Sequence, residues 1–75
     1  MDIKDFIEVT QVSYIGEGTN RRLAHSDMIV RKDVIIGVSD TSNVDARVNT
    51  ILILENENIP ITEIYEDVLI SLFKN

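Results

Sequence analysis

The stretch Thr50-Ile51-Leu52-Ile53-Leu54, with Glu55-Asn56-Glu57-Asn58 and Ile59-Pro60-Ile61-Thr62 behind it, decides how the rest of the chain is read. Five residues that are short, apolar and mostly β-branched, ending at a polar cluster, predict a buried strand and then a turn. Pro60 has no N–H to give a ladder and pushes Ile59 toward an extended conformation, so 59–62 is expected as a strand at a sheet edge. Thr62 is placed to cap a helix over 63–73, with Glu63, Glu66 and Asp67 near the positive end of its dipole. Within that helix Ile64, Tyr65, Val68, Leu69, Leu72 and Phe73 recur at spacings of three and four, while Glu63, Glu66, Asp67, Ser71 and Lys74 fall between them. One face is core and the other is water, and the docking contacts are expected from Val68, Leu69 and Leu72.

Seventy-five residues make a single small domain, 1–75, near the size at which a chain buries only about 60% of its unfolded surface. Small domains use a staple, and here the usual ones are missing from the sequence: there is no Cys, and His25 is the lone histidine. Self-association is the remaining device, so a homo-oligomer is expected. No apolar stretch approaches the roughly 20 residues of a membrane span, and Met1-Asp2-Ile3-Lys4-Asp5 lacks a secretory pattern, so no membrane association and a cytoplasmic location are expected. The net charge of −6 argues against duplex nucleic acid as a partner. Residues 1–32 balance five acids against five bases, whereas 33–75 hold eight acids against Arg47 and Lys74.

Working outward, 6–15 reads as a strand whose apolar phase shifts from Ile7 and Val9 to Val12 and Tyr14. A β-bulge near Thr10-Gln11 explains the shift, and so does a strand buried on both faces. Gly16-Glu17-Gly18-Thr19-Asn20 is a loop or a hairpin tip. Leu23–Ser26 is a short returning strand, and Asp27–Val30 leads into the next; Arg31-Lys32-Asp33 is a turn, or else a bend in one continuous strand. Asp33–Val38 is the second continuously apolar strand. Ser39–Ala46 is a polar loop rich in Asx-turn formers that joins two adjacent antiparallel strands.

The fold class is therefore α+β: a bent or barrel-like antiparallel sheet of about five strands with one C-terminal helix. Strands 34–38 and 50–54 are apolar on both faces, and one helix covers only one, so the other face needs either a closed barrel or a second subunit.

Phe6-Ile7-Glu8-Val9-Thr10, Ser26-Asp27-Met28-Ile29, Asn49–Glu55 and Ile61–Leu69 together resemble the small flagellar and swarming-motility protein family and related short phage and Bacteroidetes proteins. The resemblance covers about two thirds of the chain. It implies an accessory role in an assembly and brings no catalytic motif. The longer, basic segment 14–25 departs from the family pattern.

Three candidate chemistries stand out. Ser26 and Asp27 adjoin His25, but consecutive residues of an extended chain point to opposite faces, so no catalytic site and no enzyme is expected. No metal site and no cofactor is expected either. In the hairpin, Gly16 and Gly18 let backbone N–H groups approach an anion, Arg21 and Arg22 supply forked donors, and His25 adds a third base. Arg31 and Lys32 read as surface charges beside Asp33, and Tyr14 and Tyr65 as packing residues that could also stack on a base. The expected function is thus a non-enzymatic homo-oligomer capturing a small anionic ligand such as a nucleotide. Its size suits a phage protein that sequesters a nucleotide immune signal; the competing expectation is a protein–protein accessory module.

Overall fold

A computed structural model describes residues 5–45 and 47–73. The expectations for Met1–Lys4, for the Ala46 end of the polar loop and for Lys74 lie outside the described residues. Five strands form one antiparallel sheet: β1 (Phe6–Ile15), β2 (Arg22–Arg31), β3 (Ile35–Asp40), β4 (Thr50–Leu54) and β5 (Asn58–Ile61), followed by helix α1 (Tyr65–Phe73). Their order across the sheet is β2-β1-β5-β4-β3.

Every chain-consecutive pair of strands is adjacent except β2 and β3, which are the two edges, and β1 pairs with β5. Only the short 3-10 turn Lys32–Val34 joins the two edges. In a flat sheet their axes would stand about 19 Å apart, four spacings of 4.8 Å. The chain from Arg31 to Ile35 reaches at most about 15 Å. The sheet must therefore bend, as expected, but it is open and not a closed barrel.

Side chains divide between two faces by strand alternation. The core face carries Ile7 and Val9 of β1, Val30 of β2, Leu52 of β4 and Ile59 and Ile61 of β5, and Val68 of α1 closes over them. Met28, Ile35, Val38, Leu54 and Leu72 pack around this cluster. Thr50 is fully buried among these apolar neighbours, and its hydroxyl donates to the Glu63 carbonyl at 2.6 Å, so its burial leaves no orphaned polar atom. Asn49 Nδ2 donates in parallel to the Thr62 carbonyl at 2.7 Å, and these two bonds tie β4 to the segment before the helix.

Several expectations are corrected. Pro60 sits in the central strand, not at an edge. The Leu54 N–H bonds the Glu57 carbonyl, and the antiparallel alternation from there makes Ile51 and Pro60 a pair without mutual bonds. The missing N–H therefore falls on the β1 side, where the ladder has one paired position, Gln11 with Ile61. On that side the Thr10 N–H is met by the Glu63 carboxylate at 2.8 Å, while the Thr62 N–H donates to the Thr10 carbonyl. Thr62 and Glu63 are thus spent on the sheet, and α1 starts at Tyr65, two residues later than expected. Ile64 supplies the carbonyl for the first helical bond. Glu66 and Asp67 do lie in the first turn.

β1 runs in unbroken register with β2 from Phe6–Arg31 to Ile15–Arg22, so Val12 is buried on the second face with no bulge behind the phase shift. The bulge lies in β3, between Ile35 and Gly37, and turns Ile36 outward at 68% exposure. β2 is a single ten-residue strand where a short strand and a lead-in were expected, and Asp33 and Val34 belong to the 3-10 turn. On the second face near β4, the Ile53 side chain occupies the space over Gly37, 3.4 Å from where a Cβ would stand. That partial cover leaves Ile51 and Ile53 half-buried without a closed barrel.

On the helix, Val68 is buried, Leu72 packs on the core, and Leu69 is only half-buried. Tyr65, Leu69, Leu72 and Phe73 line one side of an open groove, with Ile35, Gly37 and Val38 of β3 on the other. No helix among the described residues is long and apolar enough to cross a membrane. The radius of gyration is 13.0 Å, against about 11 Å for a compact chain of this length, and the longest dimension is 44 Å.

Candidate functional site

The hairpin tip forms because the chain must reverse within Gly16–Arg21. Gly16 has φ +99°, and a Cβ there would meet the Asn20 carbonyl oxygen at 2.6 Å, so only glycine fits. A 3-10 turn, Gly18–Asn20, completes the reversal, with the Asn20 N–H bonded to the Glu17 carbonyl at 3.0 Å.

From this tip the Arg21 guanidinium lies over the Tyr14 ring, 4.6 Å from its centroid. A second guanidinium, from Arg47, stands 5.7 Å from the same centroid. Both contacts fall within the range of cation–π attraction. The loop that delivers Arg47 is held by its own Asx turns. Asp40 accepts from the Ser42 N–H and hydroxyl, and Asp45 accepts from the Arg47 N–H and Nε. Thr41 bridges the loop, its N–H to the Asn49 carbonyl and its hydroxyl to the Val48 carbonyl. Tyr14 shares the second face with Val12, so this loop crosses that end of the sheet, and Val48 beside Arg47 is buried.

The electrostatics follow from those bonds. The Arg47 side chain, then its N–H, hold the Asp45 carboxyl below the ordinary carboxylate range. The same hydrogen bond and the Asp45 charge raise the Arg47 guanidinium further. The Ser42 N–H, then its hydroxyl, lower Asp40.

Of the expected ligand residues, Gly16, Gly18 and Arg21 come together at the tip. Arg22 pairs with Ile15 and so lies on the opposite face from Tyr14. His25 pairs with Val12, on the Tyr14 face but about 7 Å along β2 from Leu23, the residue opposite Tyr14. The three bases therefore do not converge in one chain. Arg47 was not among the expected residues, and it reaches Tyr14 from 33 positions away, beyond any local pattern. The Asp45–Arg47 spacing was its only trace.

Ser26 lies on the opposite face of β2 from His25 and Asp27. Arg31 pairs with Asp33 at 2.6 Å, as a surface charge beside a carboxylate should. Among the described residues no group of three or more His, Asp or Glu side chains is arranged to hold a metal ion. No family model matches the chain, and neither a curated protein nor a solved structure matches it significantly.

Proposed function

We propose that the protein is a non-enzymatic, homo-oligomeric binding protein that captures a small anionic ligand, of nucleotide class, at the hairpin tip. The observation that supports this reading is the meeting of Arg21 and Arg47 on the Tyr14 ring in a chain of net charge −6. The forked Arg21 guanidinium suits phosphate oxygens, and Arg47 adds positive charge beside it while its Nε and Nη2 donate to Asp45. A base would stack on the half-exposed Tyr14 ring by displacing one of the two guanidinium groups. Each charge-assisted contact contributes about 1.5 to 3 kcal/mol. Such a protein, working in the cytoplasm, would act by sequestration, as a phage product directed against a nucleotide immune signal does.

Calorimetry against cyclic and linear nucleotides tests it. Arg21→Ala should weaken binding about ten- to hundredfold, and Arg47→Ala similarly. The Arg21→Ala/Arg22→Ala pair should match Arg21→Ala alone, because Arg22 points away. Absence of heat from every nucleotide, or wild-type heat from Arg21→Ala, removes the reading.

One observation favours an accessory module instead: Ile64, Ile70 and Phe73 of the helical segment are 55%, 63% and 79% exposed. A protein that ignores nucleotides and retains one partner through these residues would fit the resemblance to motility proteins.

A further inference from the structure

We infer that two copies of the chain join through the outer edge of β2, in an antiparallel register centred on Ser26. The inference rests on the self-association in the reading above but not on its ligand.

β2 is ten residues long, holds no proline, lysine or bulge, and has no strand on its outer side among the described residues. Proline, lysine and bulges are among the devices that ordinarily keep an edge from pairing; β2 does carry exposed charge at Arg22, Asp27 and Arg31, which any register must accommodate. Which of its backbone groups are free follows from β1. Thr10 turns both its N–H and its carbonyl toward β5, to Glu63 and Thr62. Its β2 partner Asp27 therefore exchanges no bonds with it, and the N–H and carbonyl of Asp27 point outward. By alternation the same holds for Leu23, His25 and Ile29.

A second copy adding antiparallel must set outward residues opposite outward residues, which leaves a few registers. Centred on Asp27, two carboxylates would face each other. Centred on His25, Ile29 would face Arg21 and Asp27 would face Leu23. Centred on Ser26, Asp27 faces His25 of the second copy, and Ile29 faces its Leu23. All four side chains share one face, and each acid or apolar group finds its complement twice.

Ile29, 65% exposed in one chain, is the residue this pairing covers. About eight backbone hydrogen bonds would form. The two hairpin tips would lie about 30 Å apart, so each anion site would act alone and the dimer would not merge them.

The protein has no cysteine, so Ser26→Cys introduces a single thiol at an exposed position. Facing its own copy at a non-hydrogen-bonded pair, about 4.5 Å between Cα atoms, it should oxidise to a covalent dimer. Ser39→Cys on the β3 edge is the control and should not. Sedimentation of the wild type should give twice the chain mass at micromolar concentration. Ile29→Lys should weaken association about tenfold or more, as should His25→Asp, and adding Asp27→His to the latter should restore it. A wild-type monomer overturns the inference, as does a dimer that Ser26→Cys fails to trap. Nucleotide heat from a monomer would keep the ligand reading and sink this one; a trapped dimer without nucleotide heat would do the reverse.

Discussion

The two outer strands of the sheet, β2 and β3, face the same physical problem and treat it differently. β3 is six residues long, is broken by a bulge at Ile36, ends in an exposed Asp40 whose carboxylate accepts from Ser42, and has α1 beside it. β2 runs ten residues in unbroken register and leaves Ile29 open to water. One edge is blunted and the other is ready to pair, which shows that an edge strand is defined by the protection it carries as much as by its place.

The largest effect should come from removing what both edges lean on. Leu52 is fully buried in β4 between them, so Leu52→Ala should cost about 2 to 5 kcal/mol in urea unfolding and loosen both edges together. A loss confined to one edge in hydrogen exchange would show that the sheet is not one cooperative unit.

Next comes the turn that creates β2. Gly16→Ala forces a side chain into a left-handed backbone and against the Asn20 carbonyl, at about 1 to 3 kcal/mol. Exchange should quicken in β2 before β3, and equal protection loss in both would contradict the comparison.

On the β3 side, Leu69 is half-buried in the groove, so Leu69→Ala should cost about 1 kcal/mol, less than a fully buried leucine. Val68→Ala, at the buried contact, should cost more, and the reverse order in unfolding experiments would misplace the helix.

The smallest effect is on pH. Asp40 and Asp45 have depressed folded values, so the stability they bring is present above the unfolded carboxylate value of about 3.9 and is lost as pH falls through the lower folded value. The stability difference between wild type and Asp45→Asn should therefore shrink between pH 5 and strong acid, roughly the window where linkage of a paired aspartate acts. A constant difference would mean the Asp45–Arg47 bonds do not bear on folding.

Much of this architecture was legible in the residues. Thr50–Leu54, the turn after it, the hairpin at Gly16 and the helix each carry a local signal, a run, a polar break or a 3.6 period. What failed depended on partners. Pro60 reads as an edge residue when both sides of a strand are assumed to need its N–H, but β5 is bonded almost entirely on one side. The phase shift at Thr10-Gln11 reads as a bulge or as burial on both faces, and only the pairing with β2 decides between them; β3 hides its own bulge because Val34-Ile35-Ile36 has no phase to break. At the candidate site, the tip was visible and Arg47 was not, since a loop folded across the sheet brings it there.

The bond from Thr10 to Glu63 spans 53 positions. A chain made from its N-terminus therefore holds the finished β1–β2 hairpin for most of its synthesis with the inner side of β1 unpartnered. Closure between the first and last strands must be paid for in loop entropy before it yields contacts, which places folding toward the millisecond-to-second range of non-local β topologies. In that interval both sides of the hairpin offer unpaired backbone, so crowded nascent chains would meet each other there first.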